Sequence, residues 1–395
     1  MLTARNSGST GCIPKAAYSP ALSAKSLEPN LKLGIIGFPA CGKTSLFNAV
    51  VGGQQPVGQY TNLPGSHLAV MKVPDPRMEK LREMYHPKSF VLAAVDCVDF
   101  TGLISGTGGG TGGGKEVKGE ILGKLREVDG IVHVVRAFES SGVPHVLQSV
   151  DPLRDLGETN NELLFADLAQ CTARVEKLRV QSAKPTKTQE QDKKELATLE
   201  KVLRLLEEGK AVHGFTPAND DERRHLAAFQ FLTHKQQVVV FNVGEGDAAP
   251  GGKAAALVEK VPGSLALCAK LEMEIGQLPE EERAAFLKDM GIAEPASARL
   301  ARQAYAALDA IPFFTVGEDE CRAWTIHRGD TAVAAAGKIH TDLAKGFVRA
   351  EVFACDELLA AGGEKALKAA GKFRLEGKEY VVKDGDIVHI RANTR

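Results

Sequence analysis

The feature that most constrains this chain is a glycine-rich loop between an apolar run and a helix-like segment. Residues 37–44 read GFPACGKT and match the pattern G-x-x-x-x-G-K-[ST]. The run LGII precedes the loop, and apolar residues at helical spacing follow it. A strand, loop and helix in this order hold nucleotide phosphates, because backbone N–H groups and a positive helix N-terminus attract anions. The sequence therefore predicts an α/β domain of the phosphate-loop NTPase class.

The residues of this loop have distinct predicted roles. Lys43 adds a cation for the outer phosphates, and the Thr44 hydroxyl is expected to ligate Mg²⁺. Cys41 has two interpretations, a small filler, which we favour, or an oxidisable thiol near a helix N-terminus. The other nucleotide-binding residues predicted in the loop are Pro39, Ala40, Gly42 and Ser45.

A second motif follows about 60 residues later. The strand-like run VDCVDFTG, residues 95–102, ends in D-x-x-G. We expect Asp99 to hold the water bound to Mg²⁺, and the Gly102 N–H to sense the γ-phosphate. Leu103 stands where Ras-like proteins carry a water-orienting glutamine, so hydrolysis in the Ras manner is not expected. The glycine tract at 106–115 is interpreted as a mobile switch segment or as a plain flexible loop.

A third strand-like run, QVVVFNVGE, ends near Asn242. Guanine-specific switches use N-K-x-D at this place, but here Val243 replaces the lysine and Glu245 the aspartate. The guanine-binding acid is therefore altered, while the Asn242 amide suits the N6 and N7 edge of adenine. The alternative is a turn asparagine that follows a strand. The remaining predicted base-binding residues follow the next strand and are Cys268 and Ala269.

A helical insertion separates the second and third motifs. Apolar residues step by three and four along two segments with a polar break between them, which predicts an antiparallel coiled-coil hairpin. The apolar positions are Leu164, Leu168, Cys171, Val175 and Leu178, then Leu196, Leu199, Leu203 and Leu206. Basic residues near its tip are predicted to meet an RNA backbone or to be merely solvated. These residues are Arg174, Lys177, Arg179, Lys184 and Lys187.

The end of the chain has a different pattern. From Ile311 onward short strand-like runs alternate with turns: FFTV, CRAWTI, FVRAEVF, KFRLEG, KEYVV and IVHIR. Strands around one helix in such a length favour a β-grasp fold. We see no catalytic motif in this region.

Composition excludes some functions. Lysine and arginine total 49 against 50 acids, so no bulk charge draws the chain to DNA or to an anionic membrane. No apolar run has the length of a membrane span. The seven cysteines contain no C-x-x-C pair, which argues for reduced thiols in an intracellular protein.

The predicted domains follow from these patterns. Residues 31–157 and 228–310 form the NTPase domain, 158–227 the helical insertion, and 311–395 the C-terminal domain. Residues 1–30 are serine-rich with few acids, and we interpret them as a disordered tail, a misassigned start or an organellar transit peptide. The expected location is the cytoplasm, or the mitochondrion or chloroplast if that segment is a transit peptide.

Taken together, these stretches resemble the YchF (Obg-like ATPase) family. The resemblance runs in family order from about residue 31 to 394 and includes the stretches GFPACGKTSLFNAV, VPDPRMEKL, VDFTGL, REVDGIVHVVRAFE, DPLRDLGETNNELLFADL, FLTHK, NVGE, RAWTI, IHTDLAKGFVRAEVF and GKFRLEGKEYVVKDGDIVHIR. It implies a switch NTPase that reads the base with N-x-x-E and prefers ATP over GTP. It also implies a C-terminal TGS domain and association with the ribosome, either its large subunit or the whole particle, and with its RNA.

The resemblance also bears on single residues. His133 matches a family histidine considered for positioning the attacking water, although a core histidine on a strand is the commoner interpretation. Ala40 stands where the family has an asparagine that resembles a potassium ligand of related switch NTPases, so potassium stimulation is not expected. Thr61 is offset from the family's switch threonine, and the glycine tract replaces a Lys-Gly-Ala-rich segment.

These observations predict a monomeric, slowly hydrolysing ATPase switch that acts on the ribosome, without DNA or membrane partners. The predicted catalytic residues are Lys43, Gly102 and His133, with Thr44 and Asp99 for Mg²⁺. Two alternatives stay open at this point, a GTPase and a nucleotide-gated ribosome-binding module without useful hydrolysis.

Overall fold

We analysed a computed structural model of the chain. It describes residues 31–51, 58–59, 66–100, 114–247, 252–289 and 294–393. Several sequence predictions lie outside these residues: those for 1–30, Thr61, Gly102, Leu103 and most of the glycine tract.

The described residues form strands and helices in an alternating order. The strands are β1 Leu31–Ile36, β2 Gly58–Gln59, β3 Ser66–Val73, β4 Ser89–Val91, β5 Ala93–Phe100, β6 Gly130–Ala137, β7 Gln236–Val243, β8 Leu265–Leu267, β9 Ala310–Thr315, β10 Glu320–His327, β11 Phe347–Ala354, β12 Arg374–Glu376 and β13 Asp386–Ala392. The helices are α1 Lys43–Val51, α2 Pro76–Tyr85, α3 Gly114–Arg126, α4 Pro152–Ser182, α5 Gln189–Glu207, α6 Asp220–Phe229, α7 Lys253–Lys260, α8 Ala269–Gln277, α9 Glu280–Asp289, α10 Ala296–Ala307, α11 Ala332–Ile339, α12 Thr341–Lys345, α13 Cys355–Ala361 and α14 Glu364–Ala369.

Contacts between residues divide the chain into two compact units, and the first contains residues 30–75 and 92–311. Its described strands form one sheet in the order β2-β3-β5-β1-β6-β7-β8. From β5 to β8 all neighbours are parallel, and β3 and β2 join antiparallel at one edge. The predicted α/β class with a mostly parallel sheet is therefore confirmed. Parallel strands end at one edge, which places the carboxyl ends of β1, β5 and β7 at the same edge of the sheet.

The core of this unit explains its continuous apolar strands. Ile36, Val98 and Ile131 pack on one face with residues of α3 and α4, including Ile121 and Leu163. Because helices cover both faces of a parallel sheet, its strands read as apolar runs rather than as alternating patterns.

The predicted helical hairpin is also confirmed, and it belongs to the first unit. Helix α4 begins at Pro152, and the Asp151 side chain caps it by accepting from Arg154 N. The predicted apolar positions of α4 and α5 are buried or half-buried in one shared cluster. Its members include Cys171, Val175, Leu178, Leu199 and Leu206.

The five basic residues predicted near the tip of the hairpin divide into two groups. Arg174 Nη2 lies 2.8 Å from Glu195 Oε2, and Arg179 Nη2 lies 2.9 Å from Glu200 Oε1. These two arginines therefore link α4 to α5. The exposed basic residues that are left for a partner are Lys177, Lys184 and Lys187.

The second unit contains residues 76–91 and 312–395, with a sheet in the order β12-β11-β13-β9-β10-β4 among the described residues. The sequence pattern predicts 76–91 as part of the NTPase domain, but β4 pairs in parallel with β10. Arg77 strengthens this grouping, because its Nη2 lies 2.7 Å from Asp384 Oδ1 and its guanidinium lies over the Phe314 ring.

Two details of the second unit differ from the sequence prediction. KEYVV was predicted as a strand, and this is wrong: only Val381 makes a single bridge, with Thr331. A physical reason is the contact of Tyr380, which is half-buried and donates from its hydroxyl to Asp386 Oδ2 at 2.7 Å. The structure also contains four helices in this region, α11 to α14, where the sequence pattern indicated one.

In the part of the chain that the structure describes, no helix has the length and apolar character needed to cross a membrane.

A buried carboxylate joins the hairpin to the sheet. Asp167 of α4 is fully buried and accepts from Leu232 N at 3.0 Å and from Thr233 N and Oγ1 at 2.8 Å each. Arg126 Nη1 donates to the same carboxylate at 2.7 Å. The Asp167 carboxylate therefore accepts hydrogen bonds both from the Arg126 cation and from the turn that leads into β7.

We expect Asp167→Ala to lower the free energy of unfolding by about 3 kcal/mol, because it leaves the buried N–H groups and the Arg126 cation without their acceptor. Asp221→Ala is a matched control, since this exposed carboxylate contacts Lys194 at the surface. The control should show no measurable change in urea denaturation. Equal midpoints for the two variants would contradict the assigned role of Asp167.

Candidate functional site

The loop after β1 has a backbone that only glycine permits at two positions. Gly37 has φ +150° and Gly42 has φ +96°. A Cβ on Gly37 would overlap the Val134 carbonyl oxygen, and a Cβ on Gly42 would overlap the Asn242 side chain. The two glycines of the motif are therefore required by close approach as well as by φ.

Lys43 reaches back over this loop from the first position of α1. Its ammonium donates to Gly37 O at 3.0 Å and to Phe38 O at 2.9 Å, and the side chain is buried. Two carbonyl groups thus hold the cation within the curve of the loop. This is the position expected for a lysine that neutralises nucleotide phosphates.

Thr44 and Asp99, predicted as magnesium ligands, are brought together. The Thr44 hydroxyl donates to Asp99 Oδ2 at 3.3 Å, because β1 and β5 pair with Ile35 opposite Asp99. A hydroxyl and a carboxylate supply the hard oxygen ligands that Mg²⁺ prefers. The described residues contain no cluster of three or more His, Cys, Asp or Glu side chains around a metal position. The pair therefore fits an ion that completes its shell with phosphate and water oxygens.

Asn242 links the phosphate loop to the next corner of the sheet. Its Nδ2 donates to Cys41 O at 2.9 Å, and its Oδ1 accepts from Ala269 N at 2.9 Å. The side chain is 5% exposed. This amide fixes the loop relative to the start of α8, and the predicted contact with adenine stays a prediction.

The other predicted base-binding residues lie in different surroundings. Cys268 is buried beside Ala269, as expected for a wall next to Asn242. Val243 is buried in a core cluster with Val135 and Phe241, which leaves only its backbone for a base. The predicted contact of Val243 with the nucleotide stays a prediction.

Glu245 lies in a short 3₁₀ helix after β7, and its carboxylate is engaged. Lys270 Nζ donates to Glu245 Oε1 at 2.8 Å. Both side chains are more than half exposed, at 55% for Glu245 and 67% for Lys270. Their hydrogen bond raises the pKa of Lys270. The acid that replaces the guanine-reading aspartate therefore has a cationic partner.

The remaining loop residues are placed as follows. Cys41 is fully buried, and burial raises the pKa of its thiol. This placement supports the interpretation of Cys41 as a filler, since a reactive cysteine needs a low pKa and access. Each cysteine among the described residues is free. Pro39 and Ala40 are exposed at the mouth of the loop, and Ser45 is half-buried.

His133 lies opposite Ile36, the residue that precedes the phosphate loop. Its side chain is 1% exposed, and burial, with a smaller effect of the Lys43 cation, lowers its pKa to about 3. The imidazole is therefore neutral at neutral pH. Gln237 Nε2 lies 3.2 Å from His133 Nδ1. Within the residues described, His133 Nε2 has no hydrogen-bond partner.

Sequence reasoning missed Gln237 and the bridging role of Asn242. Gln237 reaches His133 because β6 and β7 pair in parallel. A register between strands that are about 100 residues apart leaves no local signal in the sequence. Similarly, the hydrogen bonds of Asn242 to the loop and to α8 become apparent only when the positions of both segments are known.

Comparisons with known proteins place this geometry in a family. A family model named YchF-GTPase_C, described as "Protein of unknown function (DUF933)", matches residues 310–393. The "Ribosome-binding ATPase YchF" of Haemophilus influenzae is 37% identical over 375 residues, which covers 92% of this chain and 99% of that protein. The protein of the same name from Bacillus subtilis is 37% identical over 380 residues with the same coverage.

A solved structure agrees with these relatives. It is titled "Structure of the Schizosaccharomyces pombe YchF GTPase" and is 33% identical to this chain, with a TM-score of 0.79. The match covers 92% of this chain and 98% of that one. The similarity therefore extends over both compact units.

The burial of His133 predicts a dependence of stability on pH. Between the ordinary pKa of 6.5 and the folded value of about 3, the unfolded chain binds a proton that the folded protein does not bind. The free energy of unfolding should therefore fall as the pH falls through this range. In His133→Gln this contribution is absent, so the decrease from about pH 7 to about pH 4.5 should be smaller by about 3 kcal/mol.

Urea denaturation at the two pH values measures this difference. At neutral pH the histidine is uncharged in the folded state and mostly uncharged in the unfolded state, so the difference measured there reports mainly the effect of lost packing and hydrogen bonding. Parallel pH profiles for wild type and His133→Gln would show that burial does not hold this imidazole neutral.

Proposed function

The chain belongs to the YchF family, and we propose that it is an ATP-hydrolysing switch protein that binds the ribosome. One observation carries the hydrolase function: Lys43, Thr44 and Asp99 meet at the end of β1 and β5, where a triphosphate and its metal would lie. Relatives named ribosome-binding ATPase support the nucleotide and the partner. The solved relative is titled a GTPase, so the preference for ATP needs its own argument.

In the proposed mechanism, the protein stabilises charge rather than supplying a nucleophile. Lys43 and the N–H groups of the loop offset negative charge on the β and γ oxygens, where it grows during phosphoryl transfer. Thr44 and Asp99 would hold Mg²⁺, which supplies further neutralisation of these oxygens when bound. Gly102 is the proposed γ-phosphate sensor. Backbone groups or His133 position the water, since Leu103 has no polar group for this task.

The preference for ATP is supported by the altered base site. Guanine needs an acid that accepts from its N1–H and N2–H₂ groups, whereas here the carboxylate of Glu245 is bonded to Lys270. Adenine has neither of these guanine groups, so it does not need an acid at this position. The buried amide of Asn242 retains one N–H and one lone pair beyond its two observed bonds, and these suit the N7 and N6 groups of adenine.

Ribosome binding is supported by exposed cations and by the family. Lys177, Lys184 and Lys187 are exposed on and beyond the end of α4. Such lysines can contact an RNA backbone, and binding of this kind weakens with salt. We place the monomeric protein in the cytoplasm with the ribosome, and we propose no role for DNA or membranes.

Hydrolysis and base preference are tested together. Purified protein should release phosphate from ATP slowly, and Lys43→Ala should lower this rate about a hundredfold, because a cation at the transferring phosphate is lost. Lys72→Ala, which removes an exposed lysine of the same unit, is the matched control. Competition with a fluorescent ATP analogue then compares the Kd values of ATP and GTP.

Each result of this experiment has a defined meaning. Tighter binding of GTP than of ATP would make the protein a GTPase and overturn the adenine assignment. Binding without release above the Lys43→Ala level, with and without ribosomes, would leave a nucleotide-gated ribosome-binding module.

The loop also predicts how the protein responds to potassium. Ala40 has no side-chain oxygen, and its φ of +59° is a conformation that asparagine adopts more readily than alanine. We expect equal rates of phosphate release in KCl and NaCl for the wild type. Ala40→Asn should make release severalfold faster in KCl than in NaCl, since it adds an amide oxygen at the loop mouth. Potassium stimulation of the wild type would contradict this prediction.

A further inference from the structure

Three side chains form a hydrogen-bonded chain from helix α4 to the sheet below the phosphate loop. Gln237 Nε2 lies 3.2 Å from His133 Nδ1 and 3.2 Å from Asn160 Oδ1. The two N–H groups of one primary amide can donate both bonds at once. Asn160 belongs to α4, Gln237 to β7 and His133 to β6. These hydrogen bonds therefore connect α4, the first helix of the hairpin, with His133, which lies beside the phosphate loop.

The contact of Gln237 with Nδ1 favours one of the two neutral tautomers of His133. A neutral imidazole has one N–H group and one acceptor nitrogen. The ring is neutral at neutral pH, because burial lowers its pKa to about 3. When Gln237 donates to Nδ1, the proton must be on Nε2, since Nδ1 is then the acceptor.

We propose that Gln237 is a positioning residue that fixes the His133 proton on Nε2, so that this imidazole serves hydrolysis as a hydrogen-bond donor and not as a base. The assignment of the His133 tautomer depends only on the contacts of Gln237, whereas the role of His133 in hydrolysis rests on the proposed function.

The surroundings of His133 Nε2 support its assignment as an N–H group that donates to a bound ligand. In the described part of the chain, Nε2 has no hydrogen-bond partner although the ring is 1% exposed. A buried N–H group without an acceptor is costly, so such a group in a folded protein requires an explanation, and a role in catalysis is one. His133 pairs with Ile36, one residue before Gly37, and the Lys43 cation acts on its pKa. The proposed role therefore assigns the attacking water or a phosphate oxygen as the acceptor of the Nε2 proton.

The tautomer is measured directly by nitrogen NMR of the full-length protein labelled with ¹⁵N at histidine. The His133 signals are identified by their loss in His133→Gln. We expect a protonated Nε2 and an unprotonated Nδ1 in the wild type, with or without nucleotide. A wild-type spectrum with the proton on Nδ1 would overturn the proposal.

Gln237→Glu reverses the direction of the hydrogen bond. A carboxylate only accepts, so it should draw the proton to Nδ1 and lower phosphate release about tenfold or more, while the Kd of ATP changes by about twofold or less. Gln236→Glu is the matched control, because it adds the same charge to the next, exposed position of β7. Both the control's tautomer and its rate should equal those of the wild type. Thermal denaturation confirms that both variants are folded.

These readouts separate the inference from the proposed function. Unchanged release by Gln237→Glu with a shifted tautomer would show that His133 does not act as a donor in hydrolysis. An unshifted tautomer would show that Gln237 does not position the ring. A protein that binds no nucleotide, yet shows the expected tautomers, would overturn the proposed function and the donor role while leaving the positioning intact.

Discussion

The phosphate loop depends on one buried amide. Gly42 has no Cβ, and this allows the Asn242 side chain to approach the loop and donate to Cys41 O. The same amide accepts from Ala269 N at the start of α8. The loop, the end of β7 and the start of α8 are therefore fixed relative to one another by two hydrogen bonds. A change in any of these parts that breaks one of the two hydrogen bonds leaves a buried polar group unsatisfied, which costs about 1–3 kcal/mol.

Local sequence patterns were sufficient for the parts of the site that are formed by neighbouring residues. The phosphate loop and its lysine were predicted because glycines, a strand and a helix within a few residues determine their geometry. The pairing of Thr44 with Asp99 followed because parallel strands end at one edge of a sheet. The helical hairpin followed in the same way, since apolar spacing of three and four is a local property.

Long-range pairing explains the features that the sequence did not predict. Residues 76–91 join the second unit because β4 pairs with β10, more than 200 residues later in the chain. KEYVV has the composition of a strand, but Tyr380 bonds to Asp386 within a turn, and this tertiary contact overrides the local preference. Gln237 acquires its role only through the register of β6 and β7. In each of these cases, the role of the residue depends on how two segments that are distant in the sequence pack together.

The connectivity of the two units bears on how a nucleotide can act at a distance. Residues 76–91, between β3 and β5, belong to the second unit, and Asp99 is the last residue but one of β5. Only Leu92 lies between β4 of the second unit and the first residue of β5. One of the two proposed magnesium ligands is therefore carried by a strand that continues in sequence into the second unit. A ligand at this site shifts the arrangement of the second unit only if it binds two arrangements of the protein with different affinity.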